Sequence, residues 1–162
     1  MNKSYLLIGG NVGNRQEYLS QAAGFIAALA GSVTRRSALY ETAAWGKTDQ
    51  PAFLNQALEL LSDLEPAPLM ETLLLIEERM GRKRLEKYGP RVIDIDILLY
   101  ENAVIHTPLL TLPHPELANR RFALEPLHEI APDYVHPLLK KTISRLLLEC
   151  PDTLPVKKFS QL

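Results

Sequence analysis

Among its 162 residues the sequence has a single cysteine, Cys150, which excludes an internal disulfide and any cysteine-rich zinc site. Such sparing use fits a reducing compartment, and a cytoplasmic protein is expected. No apolar run reaches the length of a membrane span. The apolar stretch in the leading MNKSYLLIGGNVGNR covers only about five residues, too short for a secretory signal. A net charge of −1 leaves no bulk electrostatic footprint for nucleic acid, only local basic patches. Repeats, low-complexity segments and linkers are missing as well, so one domain over 1–162 is expected. Neither a P-loop nor G-x-G-x-x-G occurs; Gly10-Asn11-Val12-Gly13-Asn14 reads as a plain strand–helix turn.

What the sequence does have is concentrated between Gly81 and Tyr100, GRKRLEKYGPRVIDIDILLY. Its second half is β-branched and apolar, the composition of a buried strand, yet it carries two acids. Residues two apart in a strand share a face, so Asp94 and Asp96 aim together, roughly 6–7 Å apart at the backbone. Ile93, Ile95 and Ile97 then face a core. Paired carboxylates repel unless a cation satisfies them, and an all-oxygen donor set suits Mg²⁺ rather than zinc. Arg82, Lys83, Arg84, Lys87 and Arg91 precede the pair, and cations beside carboxylate-held metal suit a polyphosphate. Salt bridges between the acids and these same arginines are the bland alternative.

Along the chain, Tyr5 to Ile8 reads as a strand and Arg15 to Ala30 as a helix capped by Asn14. Val33 to Tyr40 reads as a second strand and Phe53 to Leu61 as a third. Pro66 to Met80 is predicted helical, with its prolines in the first turn and Leu69, Leu73, Ile76 and Met80 as its apolar stripe. Thr142 to Leu148 is expected to form a last helix, and the tail 151–162 to be loose. With the central strand, the order matches a split βαβ pattern. The expectation is an α+β, ferredoxin-like (βαββαβ) antiparallel sheet, with helices on one face, a ligand on the other and C-terminal additions.

KYGPRVIDIDILLY resembles the central motif of the 6-hydroxymethyl-7,8-dihydropterin pyrophosphokinase family. That motif runs basic-x-Gly-Pro-Arg-x-x-Asp-apolar-Asp-apolar-apolar, met by Lys87, Gly89, Pro90, Arg91, Asp94, Ile95, Asp96, Ile97 and Leu98. Tyr40, Thr42, Asp49, Gln50, Pro51, Phe53, Leu54 and Asn55 match a second family pattern, and Pro113, His114, Asn119, Arg120 and Phe122 a third. The likeness runs from Tyr5 to about Pro132. It departs at Ala43-Ala44, where the family often has prolines, and in a loop a residue shorter between Arg84 and Tyr88.

The resemblance implies diphosphate transfer from ATP to the pterin. It places Thr42, Ala43, Trp45, Phe53, Asn55, Tyr88, Asp94 and Phe122 around the pterin, with Phe53 and Phe122 stacking on its two faces. Glu77, Arg82, Arg84, Arg91, Ile97, Thr111, His114 and Arg120 fall to ATP, with Arg82, Arg91, Asp94 and Asp96 carrying catalysis. Asp94 and Asp96 would hold two Mg²⁺ ions. A monomer acting on small molecules is expected, with no nucleic acid or membrane partner. His106, His128 and His136 receive no role. The residues alone, without the resemblance, reach only a metal-dependent, phosphate-handling enzyme. A phosphohydrolase using the same acids, or a nucleic-acid module using the 82–91 basic stretch, stays open on that basis.

Overall fold

The computed structural model describes residues 1–43, 51–81 and 92–160. In chain order the elements are β1 (Asn2–Gly10), α1 (Arg15–Leu29), β2 (Ser32–Arg36), β3 (Tyr40–Thr42) and β4 (Phe53–Ser62). There follow α2 (Pro66–Arg79), β5 (Asp94–Tyr100), β6 (Ile105–His106), β7 (Thr111–Leu112) and a single 3₁₀ turn (Leu117–Asn119). α3 (Arg121–Ile130), α4 (Ile143–Glu149) and β8 (Val156–Lys158) complete the order.

β1 is the central strand. It pairs antiparallel with β4 on one side and β5 on the other, giving the order β5-β1-β4-β3-β8, with β2 also on β4. Its residues are buried on both faces, which explains an apolar run without polar alternation. Leu6 and Ile8 point into a core with α1 and α2, through Leu19, Ile26, Leu69, Leu73 and Ile76. Tyr5 and Leu7 point the other way, against Leu124, Leu127 and Ile130 of α3 and Ile143 and Leu146 of α4. The expectation of helices on one face is therefore corrected. Helices pack on both faces, because Tyr5, Leu7, Ala57, Leu98 and Leu99 make the second face apolar too.

α3 is not among the expected elements; it holds Pro126 in its interior, a residue that costs a helix one hydrogen bond. The single strand expected over 33–40 is instead β2 and β3. Ser37 takes over the ladder between them: its N–H donates to Ala57 O (2.9 Å) and its Oγ accepts from Ala57 N (2.9 Å). The next N–H, of Ala38, donates to the Glu129 carboxylate of α3 (3.0 Å), so the chain leaves the ladder there. β5 carries an extra residue. Its register on β1 moves from Leu6↔Ile97 to Tyr5↔Leu99, so Leu98 and Leu99 both join the α3 core.

In the tail expected to be loose, residues 151–160 are ordered. β8 adds a strand outside β3, with Tyr40, Glu41 and Thr42 opposite Lys158, Lys157 and Val156. Asp152 accepts from Arg121 N (3.1 Å) and Leu154 N (3.0 Å), and Phe159 N donates to Leu39 O (2.8 Å). These bonds satisfy backbone groups that a loose tail would leave to water.

Candidate active site

The α3 core ends on the row Ala57–Leu7–Asp96 of neighbouring strands β4, β1 and β5. The next row along the same face is polar: Asn55 on β4, Gly9 on β1 and Asp94 on β5. Asp94 and Asp96 thus share a face, as their spacing predicts, while Ile95 and Ile97 are sunk in the opposite core. Both acids are partly buried, and each makes further interactions within the protein.

Gly9 shapes this row. A Cβ built there would lie 2.0 Å from Asn55 Oδ1 and 3.0 Å from its Cγ. The Asn55 carboxamide therefore occupies the space above β1 that a side chain at position 9 would fill. Asn55 is only 5% exposed. Next to it, Tyr40 lies opposite Asn55 and Thr42 opposite Phe53 across β3 and β4. Tyr40 Oη donates to Glu129 (2.6 Å), and burial with this carboxylate raises the phenol's pKa. Thr42 is buried and donates to Pro155 O (2.9 Å), so the ordered tail walls this side. Phe53 is partly buried, and Ala43 is exposed at the end of β3.

On the β5 side, Glu77 is the acid that the resemblance assigns to ATP. It is 3% exposed, and its Oε2 accepts from Ile95 N at 2.6 Å on the outer edge of β5. Leu98 O on the same strand accepts from His114 N (3.0 Å). His114 Nδ1 accepts from Glu116 N (3.1 Å), so a neutral ring carries its proton on Nε2. Burial, and then the neighbouring Arg120, push its pKa down to about 4, against the opposing pull of Glu116 and Asp94. His114, Arg120 and Asp94 are thus within electrostatic reach of one another. The Arg120 guanidinium stands 5.7 Å from the centre of the Phe122 ring at the start of α3. Thr111 in β7 is partly exposed, its Oγ1 3.4 Å from His106 Nδ1.

The structure therefore gathers Asp94, Asp96 and Asn55 on one face, with Thr42 and Phe53 beside Asn55 and with His114 and Arg120 near Asp94. Trp45, Arg82, Arg84, Tyr88 and Arg91 lie outside the described residues. Among the described residues no group of three or more His, Cys, Asp or Glu side chains could hold a metal ion. The Asp94–Asp96 pair is an oxygen-only donor set on one strand face, which fits a hard cation such as Mg²⁺ completed by substrate oxygens and water.

Three contributors went unnoticed in the sequence. Gly9 is one. The others are Asn11, whose Nδ2 donates to Pro51 O (3.0 Å), and Arg15, which donates to Ala52 O (2.9 Å) and Glu41 (2.7 Å). Together they fix the chain where it enters β4. The signal in the sequence is the G-N-V-G-N turn that holds Asn11 and is flanked by Gly9 and Arg15. Of the unassigned histidines, His136 is structural: its Nδ1 accepts from Leu138 N (3.2 Å) and Leu139 N (3.0 Å) within a turn.

The sequence profile described as 7,8-dihydro-6-hydroxymethylpterin-pyrophosphokinase matches residues 5–132. The chain is 46% identical over 136 residues to the 2-amino-4-hydroxy-6-hydroxymethyldihydropteridine pyrophosphokinase of Methylorubrum extorquens, covering 83% of this chain and 86% of the relative. The identically named Synechocystis protein is 41% identical over 152 residues, covering 92% and 77%. Among solved structures, a Plasmodium falciparum HPPK-DHPS crystal structure superposes with a TM-score of 0.75 at 17% identity. That match covers 91% of this chain but 43% of the Plasmodium chain, so the likeness is one of fold.

Proposed function

The chain belongs to the 7,8-dihydro-6-hydroxymethylpterin-pyrophosphokinase family, and on that premise we propose that its two substrates meet on the polar row of Asn55, Gly9 and Asp94. The enzyme transfers the diphosphate of ATP to the hydroxymethyl group of 6-hydroxymethyl-7,8-dihydropterin, giving AMP and the pterin diphosphate for folate biosynthesis.

The observation that carries the site assignment is the shared face of Asn55 and the Asp94–Asp96 pair, two strands apart across Gly9. In this reading Asn55 offers donor and acceptor to the heterocycle's edge, while Phe53 and Phe122 stack on its faces. Thr42 and Ala43 border the pterin; with the Thr42 hydroxyl proton given to Pro155, the oxygen's lone pairs face the ligand. Trp45 and Tyr88 complete this pocket by their place in the motif.

His114 and Arg120 bind the triphosphate. His114 acts as an uncharged Nε2–H donor, and Arg120 as a fixed cation. Arg82, Arg84 and Arg91 join them, and Arg82 and Arg91 offset the charge that develops during transfer. The nucleotide is held through Thr111 and the Ile97 backbone, because the Ile97 side chain is in the core. Glu77 acts through β5, holding its edge at Ile95 rather than touching ATP. Asp94 and Asp96 would hold two Mg²⁺ ions. When bound, these ions neutralise phosphate charge and lower the pKa of the pterin hydroxyl. Holding the hydroxyl in line with the β-phosphorus removes about 7–11 kcal/mol of orientational cost at most.

We further read the sheet as ferredoxin-like, its second strand divided into β2 and β3. Residues 1–162 form one domain, acting as a cytoplasmic monomer.

The test is incubation with ATP, Mg²⁺ and the hydroxymethyl-dihydropterin, with nucleotides resolved by chromatography. Pterin-dependent AMP is the expected product. ADP would mean simple phosphoryl transfer, and pterin-independent phosphate a hydrolase.

A further inference from the structure

Gly9 is not accounted for by its backbone. It lies inside β1, with no left-handed φ that would call for glycine, whereas Gly13 and Gly81 have φ of 64° and 89°. Nor is it a packing gap in the core, since α3 contacts end one row earlier at Leu7. What chiefly excludes a side chain there is one neighbour. The hypothetical Cβ meets Asn55 Oδ1 at 2.0 Å, a separation that no side chain tolerates, and then Leu54 O at 3.2 Å. The contact is specific because Gly9 and Asn55 are direct register partners across β1 and β4. Gly9 is also the partner of Asp94 on its other side, so the Asn55 amide leans over β1 toward the carboxylate strand.

A short amide at a strand position has several rotamers, and only some lay the carboxamide across the neighbouring strand. The space left above Gly9 admits the rotamer that does so. We infer that Gly9 is a positioning residue for the pterin: the missing side chain seats the Asn55 amide between β4 and the Asp94 strand. Any larger residue turns that amide away from the heterocycle without touching the ATP contacts. This rests on the reading of Asn55 as a pterin ligand.

The test is a double-mutant cycle with Gly9→Ala and Asn55→Ala, read as kcat/KM for the pterin and KM for ATP. Gly9→Ala should lower pterin kcat/KM on the order of 10²-fold, the scale of a 1 Å misplacement, and leave ATP KM unchanged. In the Asn55→Ala background the clash with the amide is gone and only the close approach to Leu54 O remains, so adding Gly9→Ala should change pterin kcat/KM by less than about twofold. An Asn55→Ala chain with undiminished pterin kcat/KM removes the underlying reading. A damaging Asn55→Ala beside a harmless Gly9→Ala, or a Gly9→Ala penalty that persists in full in the double variant, overturns the inference itself. A rise in ATP KM with Gly9→Ala also overturns it. Should Gly9→Ala fail to fold, recovery of folding in the double variant supports the inference, and failure in both backgrounds overturns it.

Discussion

Glu77 of α2 and Ile95 of β5 are joined by a 2.6 Å hydrogen bond from the Ile95 N–H to the buried Glu77 carboxylate. Ile95 lies between Asp94 and Asp96, and β5 ends the sheet, so this bond fixes the outer side of the strand bearing both acids. A helix acid thereby does what a further strand beside β5 would otherwise do. Glu77→Ala should cost about 1.5–3 kcal/mol, the range for a hydrogen bond to a charged group. Glu77→Gln, which keeps an acceptor, should recover most of that loss. Urea denaturation of the three proteins measures the difference, and equal midpoints for Ala and Gln would mean the acceptor is immaterial.

Asp96→Ala should reduce AMP formation by at least about 10²-fold while leaving pterin affinity nearly intact. Asn55 and Phe53, on β4, remain untouched by the change. Steady-state AMP assays beside pterin titration by fluorescence check both halves, and a fully active variant would refute the metal-binding assignment.

Asp152 accepts two backbone N–H groups, one of them from the first residue of α3, where helix donors have no internal partner. Asp152→Ala should therefore destabilise the fold by about 1–2 kcal/mol, as loss of a helix cap does. Thermal melts against the parent protein provide the measurement, and an unchanged midpoint would show that the tail contributes nothing to α3.

Stability should fall on acidification from pH 6.5. Burial lowers the pKa of His136 below its ordinary value, and burial with Arg120 lowers that of His114 to about 4. Both rings are neutral in the fold but take protons in the unfolded chain at about pH 6.5, so the unfolded state binds more protons in that window. The stabilisation is full above pH 6.5 and lost as pH drops toward the folded values. His136→Asn keeps a side-chain acceptor for the 138–139 amides without a titrating ring, and should flatten the decline. Chemical denaturation at pH 7, 6 and 5 compares the two slopes.

How legible each part was depended on how local its cause is. The common face of Asp94 and Asp96 follows from strand period alone, and the cap of α1 and the apolar stripes of α1 and α2 rest on residues three or four apart. The β2–β3 break depends on Ser37 capturing the Ala57 backbone and on Glu129 arriving from α3, partners 20 and 91 residues away. α3 carries Pro126 in its interior, and its apolar face packs on Tyr5, Leu7 and Ala57, residues far away in sequence. β8 is three residues long and has no pattern of its own; its partner strand defines it. The motif resemblance named Asn55, but the reason it points where it does resides in a residue that has no side chain.

The pairing of β3 with β8 has a consequence in time. Thr42 and its acceptor Pro155 are separated by 113 residues of synthesis. At roughly 5–20 residues per second, β3 in a nascent chain waits on the order of 6–23 s for its outer neighbour. Throughout that interval the wall of the proposed pterin pocket is an open sheet edge, able to accept a strand from another chain. Cells that translate this message slowly, or in crowded polysomes, would lose more of it to intermolecular pairing than the stability of the finished protein suggests.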